Sequence, residues 1–357
     1  MMKTVTVAHC ADIHYDSDIV YMGAKGRIRK RERQASFENI LKMCRQKHIE
    51  YLLIAGDLFD KPEPEEKYVE RLRDKFAECD ETYIFISPGN HDYITEHSPY
   101  IRENYWPDNV YIFKGGWEGV EIEEEGVSIW GAAFEEMYER EGMIGKCDDD
   151  GNIHLGVLHA DIRPDSLYNP ISKKQIRESN IDYLALGHIH ECTNPAKEGT
   201  TWYCYSGCHD GRGFDEQGEC GIYVGEVWKG GCNMEFEETA GRRYYTMRVD
   251  ISDMDTDEEV AEYIENNLKG NEDDIYNIVL CGNTNGRYKP DEENIRGMTD
   301  VFFSRVVSEY LSEDYTQIAN ENTVRGEFVR RMLKSGDMEA LDIGLRAFDM
   351  EVGYYED

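Results

Sequence analysis

The chain has 357 residues, 40% of them hydrophobic, which is enough for one large domain and a small companion, or for two domains. Its 73 acidic and 39 basic residues leave a formal net charge of −34, which excludes simple non-specific adsorption to nucleic acid. Any DNA contact must then come from a local basic patch, from bound metals or from a partner subunit. No run approaches the roughly 18 apolar residues of a membrane span. The opening MMKTVTVAHCADIH has no apolar stretch followed by a small-residue cleavage site, so the expectation is a cytoplasmic protein with no membrane association. Ten cysteines are scattered without a CxxC pair and are read as free thiols in a reducing compartment. The segment Cys204 to His209, with Cys192 nearby, lacks the spacing of a common zinc module, so buried strand cysteines are the favoured reading there.

Along the chain, residues 4–9 alternate as a strand and deliver Asp12 and His14. Lys25, Arg27, Arg29, Lys30, Arg31 and Arg33 then crowd into nine residues. As a loop beside a strand end they could hold phosphates; as the start of a helix they would be a solvated face. Phe37, Ile40, Leu41 and Cys44 mark an amphipathic helix over 35–48. Tyr51–Ile54 is a continuous apolar strand that ends at Gly56-Asp57. Pro62 and Pro64 precede a second helix with Tyr68, Leu72 and Phe76 on one face. Thr82–Ser87 is a third strand, broken by Pro88-Gly89 ahead of Asn90-His91. This order implies right-handed crossovers and a parallel sheet. Strand candidates then follow at Val110–Phe113, Val127–Ala133, Ile153–Leu158, Tyr183–Leu186, Thr201–Tyr205 and Gly221–Trp228, with a helix at Lys173–Ser179. A second sheet stacked on the first makes a four-layer α/β/β/α sandwich over residues 1–242. From 243 to 320 the pattern is that of a small α+β domain, with a helix at Glu258–Leu268 and strands at Tyr276–Cys281 and Val301–Val307. Two amphipathic helices close the chain over 321–357, carrying Val324, Phe328 and Met332, then Leu341 and Leu345. Their apolar faces are expected to stand exposed, as a dock for a partner.

The chemistry lies in five strings, ADIHYDS, AGDLFD, PGNHD, GVLHAD and ALGHIH, each following an apolar run. They supply Asp12, His14, Asp57, Asn90, His159, His188 and His190 at strand ends. Residues i and i+2 of a strand point the same way, so Asp12 with His14, and His188 with His190, can each face one site. Such a set can gather two divalent ions about 3.5–4 Å apart, a spacing suited to clamping the attacking and leaving oxygens of a phosphate ester. Asp57, after a glycine, is the expected bridge; Asp12, His14 and His190 are assigned to one ion, and Asn90, His159 and His188 to the other. Imidazole and carboxylate donors without thiolate suit Mn, Fe, Zn or Co. His91, adjacent to a ligand but diverging from it, is expected to be catalytic, stabilising the transition state and protonating the leaving oxygen while a metal-bound hydroxide attacks. His209 borders the motif region as an outside candidate for a role near the site.

Taken together, DIH, GDLFD, GNHD, LHAD and GHIH resemble the calcineurin-like metallophosphoesterases. Gly56–Asp60, Ser98–Phe113, Ala185–Cys192 and Tyr205–Val227 are similar to the bacterial DNA repair exonucleases of the SbcD and YhaO type, relatives of the meiotic double-strand-break nuclease. The segment after the last histidine pair, with Gly211, Arg212, Phe214 and Glu216, belongs to that resemblance. It covers about residues 4–240, with a weaker fit of 245–330 to the family's capping domain. The resemblance implies a manganese-dependent exo- or endonuclease on DNA ends or single strands, with the seven ligands and the catalytic His91 carried over to the positions above. It also implies an SbcC-like ATPase as partner; homodimerisation is left open. Lys25, Arg27, Arg29, Lys30 and Arg212 are the expected DNA-binding residues. Asp60 stands where some relatives carry a second histidine, and the net charge is extreme for a DNA enzyme. A small-molecule or phosphoprotein phosphoesterase on the same scaffold is the alternative.

Overall fold

The computed structural model describes residues 3–122, 126–284, 287–310 and 315–336, and all but 342 and 346 between 340 and 348. The chain divides into two compact units between Arg243 and Tyr244. In the first unit, β1 (Thr4–Cys10) leads to α1 (Ala24–Gln46), β2 (Tyr51–Ile54), α2 (Glu66–Ala77), β3 (Tyr83–Ile86) and β4 (Val110–Ile112). Next come β5 (Glu118–Ile122), β6 (Val127–Gly131), β7 (Ile153–His159), α3 (Lys173–Glu178), β8 (Tyr183–Gly187), β9 (Ala196–Glu198), β10 (Thr201–Tyr205), β11 (Gly221–Trp228) and β12 (Gly231–Glu238). Two six-stranded sheets result, in the orders β12-β11-β1-β2-β3-β4 and β5-β6-β7-β8-β10-β9. Strands β1 to β4 run parallel, as do β6, β7, β8 and β10. Antiparallel strands complete both sheets.

Alternation along these strands creates the layers. Val5 and Val7 of β1 and Tyr51 and Leu53 of β2 pack with Leu155 and Val157 of β7 and Tyr183 and Ala185 of β8, so one core lies between the sheets. The intervening Ala8, Cys10, Leu52 and Ile54 face the other way and pack with Phe37, Ile40 and Leu41 of α1 and Leu72 and Phe76 of α2. On the far side, Leu184 and Leu186 of β8 meet Ile176 of α3. The architecture is therefore α/β/β/α. Strands with apolar side chains on both faces are the signature of a sheet covered twice.

Helix α1 begins at Ala24, eleven residues before the expected start at 35, and takes in the whole basic cluster. Strands β5 and β9 were not anticipated because both are short edge strands rich in charge (EGVEI and AKE). Strand β12 is joined to β11 by a tight turn through Gly230, with φ at +83° and Trp228 opposite Gly231.

The second unit opens with β13 (Tyr244–Asp250) and continues with α4 (Asp257–Asn266), β14 (Ile275–Cys281), α5 (Glu292–Met298) and β15 (Phe303–Ser308), the three strands forming one parallel sheet. Strand β13 and helix α5 are additions to the sequence-based reading. Helices α6 (Tyr315–Ala319) and α7 (Val324–Ser335) follow. Val329 of α7 is buried with Tyr315, Ile318, Leu341 and Leu345, and Phe328 and Met332 pack against this cluster. Phe328, Met332, Leu341 and Leu345 are therefore covered rather than presented as an exposed dock, whereas Val324 stands exposed.

Candidate metal centre

Every expected ligand follows the end of a strand of the first unit. Asp12 and His14 leave β1, Asp57 follows β2, Asn90 follows β3, His159 ends β7, and His188 and His190 leave β8. The chain turns sharply at these points. Among the described residues, eight that are not glycine have positive φ, and four of them are Asp12 (+53°), His14 (+42°), Asp57 (+51°) and His188 (+95°). That conformation is unfavourable for a side-chain-bearing residue and persists only where surrounding structure enforces it. One enforcing partner is Asp92, which accepts hydrogen bonds from the backbone N–H groups of Leu58, Phe59 and Gly89 and from the Tyr100 hydroxyl. Close approach supplies the rest: a Cβ on Gly56 would stand 2.2 Å from the His159 ring, and one on Gly89 would stand 2.3 Å from Asp57 Oδ1.

The seven side chains converge. Asp12, His14 and His190 bring one potential ligand atom each within 4.8 Å of one another, and so do Asp12, Asp57 and His159. Asn90 Oδ1 is 2.8 Å from His159 Nε2 and 3.3 Å from His188 Nδ1. Asp57 Oδ2 lies between the groups, 3.6 Å from His14 Nε2 and 3.5 Å from His159 Nε2. His190 Nε2 stands 3.5 Å from Asp12 Oδ1. His91 falls outside these two groups but forms a third with His14 and Asp60, their potential ligand atoms also within 4.8 Å of one another. Its backbone N–H donates to Asp57 Oδ1 at 2.9 Å, while its ring, 40% exposed, is set edge-on to His14 with centroids 4.8 Å apart.

These residues fit divalent cations on grounds internal to the site. Asp12, Asp57, Asp92 and Asp161 are all buried within one small region. Burial, and then the neighbouring Asp92 and Asp12, push the Asp57 carboxyl well above its ordinary range. His14 is fully buried, yet neither of its ring nitrogens makes a hydrogen bond; the 2.9 Å approach of Nδ1 to Asp60 Oδ1 lacks hydrogen-bond geometry. Burial also lowers the protonation of His14, with Arg212 and His91 adding to the effect, and brings His188 down to about 4, so both rings are held as neutral donors. His190 differs: burial opposes its charge, but Asp12 and Glu216 outweigh burial and lift it to about 10. Crowded buried carboxylates next to neutral imidazoles with unused lone pairs are what a cation would compensate. No cysteine belongs to any such group among the described residues, and all ten thiols are free.

The basic cluster behaves otherwise. Arg29 is fully buried, its guanidinium bound to both carboxylate oxygens of Asp210 and to the carbonyl of Gly211. Arg33, also buried, donates to the carbonyls of Asp210 and Ile13. Arg29 is thus removed from the expected DNA-binding set: it is a structural cation that ties α1 to the 209–219 segment. Lys30 pairs with Asp18 and the Asp16 carbonyl, and only Lys25, Arg27 and Arg31 of the six face solvent. Arg212 is turned inward, with contacts to Asp60 and Glu216. His209 is buried against Phe37 and donates to the Arg33 carbonyl, away from the triads. Sequence reasoning did not single out Asp92 and Asp161. Both stand two residues after a candidate ligand, in GNHD and LHAD, and that adjacency was the available signal.

The calcineurin-like phosphoesterase family model matches residues 5–192, just over half of the 357. The chain belongs to the calcineurin-like phosphoesterases. A Bacillus subtilis (strain 168) protein named uncharacterized metallophosphoesterase YhaO is 27% identical over 270 residues, covering 71% of this chain and 65% of its own length. The DNA double-strand break repair protein Mre11 of Methanopyrus kandleri is 22% identical over 206 residues, covering 52% of this chain and 44% of its own length. The chain therefore spans less than two thirds of the curated relatives it matches. Among solved structures, purple acid phosphatase PPD1 from yellow lupin (Lupinus luteus) seeds superimposes with a TM-score of 0.41 at 11% identity, covering 67% of this chain and 52% of that one. This member of the family has a candidate metal-binding cage, and no helix among its described residues is long and apolar enough to cross a membrane.

Proposed function

We propose that this metallophosphoesterase is a two-metal phosphodiesterase that hydrolyses DNA, as an exo- or endonuclease in repair. The single observation that carries the reading is the placing of Asp57 between His14 and His159, in two ligand groups that share Asp12, with the His91 ring at the rim against His14. Bound there, two divalent cations would polarise the phosphate and lower the pKa of a water nucleophile. Asp12, His14 and His190 would hold one ion, Asn90, His159 and His188 the other, and Asp57 both. The remaining work belongs to the chain. The backbone N–H of His91 fixes one oxygen of Asp57, which sets the angle of the bridging carboxylate. The His91 imidazole, at the exposed side of the cage, donates a proton to the leaving oxygen of the ester. Manganese as the ion, a cytoplasmic setting, homodimerisation and pairing with an SbcC-like ATPase belong to the same proposal. The nuclease reading is supported by the likeness to proteins named YhaO and Mre11.

The small-substrate alternative draws on a specific observation. Half of the basic cluster is consumed by Asp210, Ile13 and Asp18, on a chain of net charge −34. The deciding experiment incubates the protein with Mn²⁺ and linear DNA, with p-nitrophenyl phosphate in parallel, at several salt concentrations. Salt-sensitive DNA degradation that Lys25→Glu and Arg27→Glu weaken, with the aryl phosphate unaffected, supports the nuclease. Hydrolysis of the aryl phosphate alone, or equal losses on both substrates, assigns the enzyme to small esters.

A further inference from the structure

The GRGFDE segment (Gly211–Glu216) was read as a possible grip on DNA. Its geometry points elsewhere. Arg212 donates from Nη1 to Asp60 Oδ1 at 3.1 Å and from Nε to Glu216 Oε1 at 3.0 Å, while its backbone N–H donates to Glu216 Oε2 at 2.7 Å. Each of those carboxylates touches the outward nitrogen of an imidazole whose other nitrogen looks into the cage. Glu216 Oε1 is 2.7 Å from His190 Nδ1, and His190 Nε2 faces Asp12. Asp60 Oδ1 is 2.9 Å from His14 Nδ1, and His14 Nε2 faces Asp57. A single guanidinium therefore bridges the two acids that back the two histidines of one triad, that of Asp12, His14 and His190. Nothing comparable links Arg212 to Asn90, His159 or His188.

We infer that Arg212 is a positioning residue for one of two metal ions: through Glu216 it fixes His190 with Nδ1 protonated and Nε2 turned inward, while Asp60, which it also anchors, packs against His14 Nδ1 without a hydrogen bond to it. This rests on the two-metal reading above. The physical basis is general. An imidazole can ligate through either nitrogen, and an acceptor on the far nitrogen selects the tautomer and the ring angle. A carboxylate free to rotate would select poorly, and the planar fork of arginine holds two of them at once in a way that lysine cannot. Arg212 can do this because it is itself held: its own carbonyl accepts from the Tyr21 hydroxyl at 3.2 Å, and the neighbouring Asp210 is locked by Arg29. Glu216 ranks above Asp60 in the scheme, since it is buried and Asp60 is 37% exposed.

The test measures metal binding directly, with Mn²⁺ titrated into metal-free full-length protein by calorimetry and by loss of the free-ion paramagnetic resonance signal. Wild type should take up two ions. Arg212→Ala should weaken one of them by about 10- to 100-fold, the range seen when the group behind a metal-bound histidine is removed, and leave the other within about twofold. Glu216→Ala should do the same, Asp60→Ala less, and Glu216→Gln should recover part of the loss because its amide oxygen still accepts. Millimolar guanidinium added to Arg212→Ala should restore some affinity, which a general packing defect would not allow. If the alanine variant does not fold, Arg212→Lys decides: it keeps charge and bulk, so one weakened ion upholds the assignment. Unchanged affinity for both ions in Arg212→Lys or Arg212→Ala, with a raised KM for DNA, would overturn it and return Arg212 to the substrate. Fewer than two ions on wild type would instead count against the two-metal reading itself.

Discussion

The two units of this chain solve the same folding problem with different backbones. Both build a parallel sheet with helical crossovers. In the second unit the turns are conventional: Thr256, Asp291 and Thr323 cap their helices through side-chain oxygens, and positive φ among its described residues is confined to Gly282 and Gly336. In the first unit four of the seven ligand positions adopt positive φ without being glycine, and the segments that carry them bury several acids close together. The difference teaches where this molecule departs from its own local preferences. Among the described residues, non-glycine positive φ is confined to the first unit, half of it at the strand ends that form the candidate cage, and the acids buried there form a cluster that Asp274 of the second unit does not match.

That contrast can be broken by experiment. The largest effect is expected from Asp57→Asn, which removes the bridging charge: calorimetric Mn²⁺ uptake should fall for both ions and hydrolysis should drop below detection. Retention of both ions at wild-type affinity would remove Asp57 as the bridge. Next comes His91→Ala, with both ions retained and turnover lowered by a factor on the order of 10² or more. Loss of an ion in that variant would make His91 a ligand instead. A chelator should come third. At free metal about 100-fold above the dissociation constant, its addition removes roughly 2.7 kcal/mol of stability for each ion. Hydrogen exchange should then quicken at Asp12–His14, Gly56–Asp57 and His188–His190, while α4 and β14 stay unchanged; uniform acceleration of both units would abolish the contrast.

A smaller effect concerns acid. Burial, and then the Arg33 cation, hold the pKa of His209 down to about 3. An unfolded histidine takes its proton near pH 6.5, so the unfolded state binds more protons than the folded one between about pH 6.5 and 3. Stability should accordingly fall as pH drops through that window, by up to about 1.4 kcal/mol per pH unit for this group. Urea unfolding of His209→Gln against wild type at pH 7, 6 and 5 should show the shallower loss in the variant; parallel curves would refute the assignment. The smallest change should be Thr256→Ala. Losing the cap on Glu259 N–H should cost about 1 kcal/mol in the second unit and leave Mn²⁺ affinity untouched.

The ligand set was legible because each of its members directly follows an apolar run, and strand ends are where a sheet can gather distant residues. The four layers were legible for a related reason: side chains at alternate positions of Tyr51–Ile54 and Tyr183–Leu186 are apolar on both faces. The basic cluster was not legible. Arg29 and Arg33 lie four apart on one helical face, but only the fold reveals that this face meets Asp210, which is 181 residues from Arg29 in the chain. Arg212 was found by motif, but its inward turn was not foreseen for the same reason, since nothing local says whether a guanidinium turns to solvent or to Asp60. Strands β5 and β9 escaped because an edge strand needs only one partner and no apolar face.

The buried pairing of Arg29 and Arg33 with Asp210 has a consequence for how this chain can change. The two guanidinium groups reach the 209–219 segment only at one rotational phase of α1. Each residue added to or removed from a helix turns everything beyond it by about 100°. A single insertion between Arg33 and Phe37 would force either the apolar stripe off the sheet or the arginines away from Asp210. The first turns of α1 are thus closed to length variation, and drift among homologues should leave the spacing between the arginines and the apolar stripe unchanged.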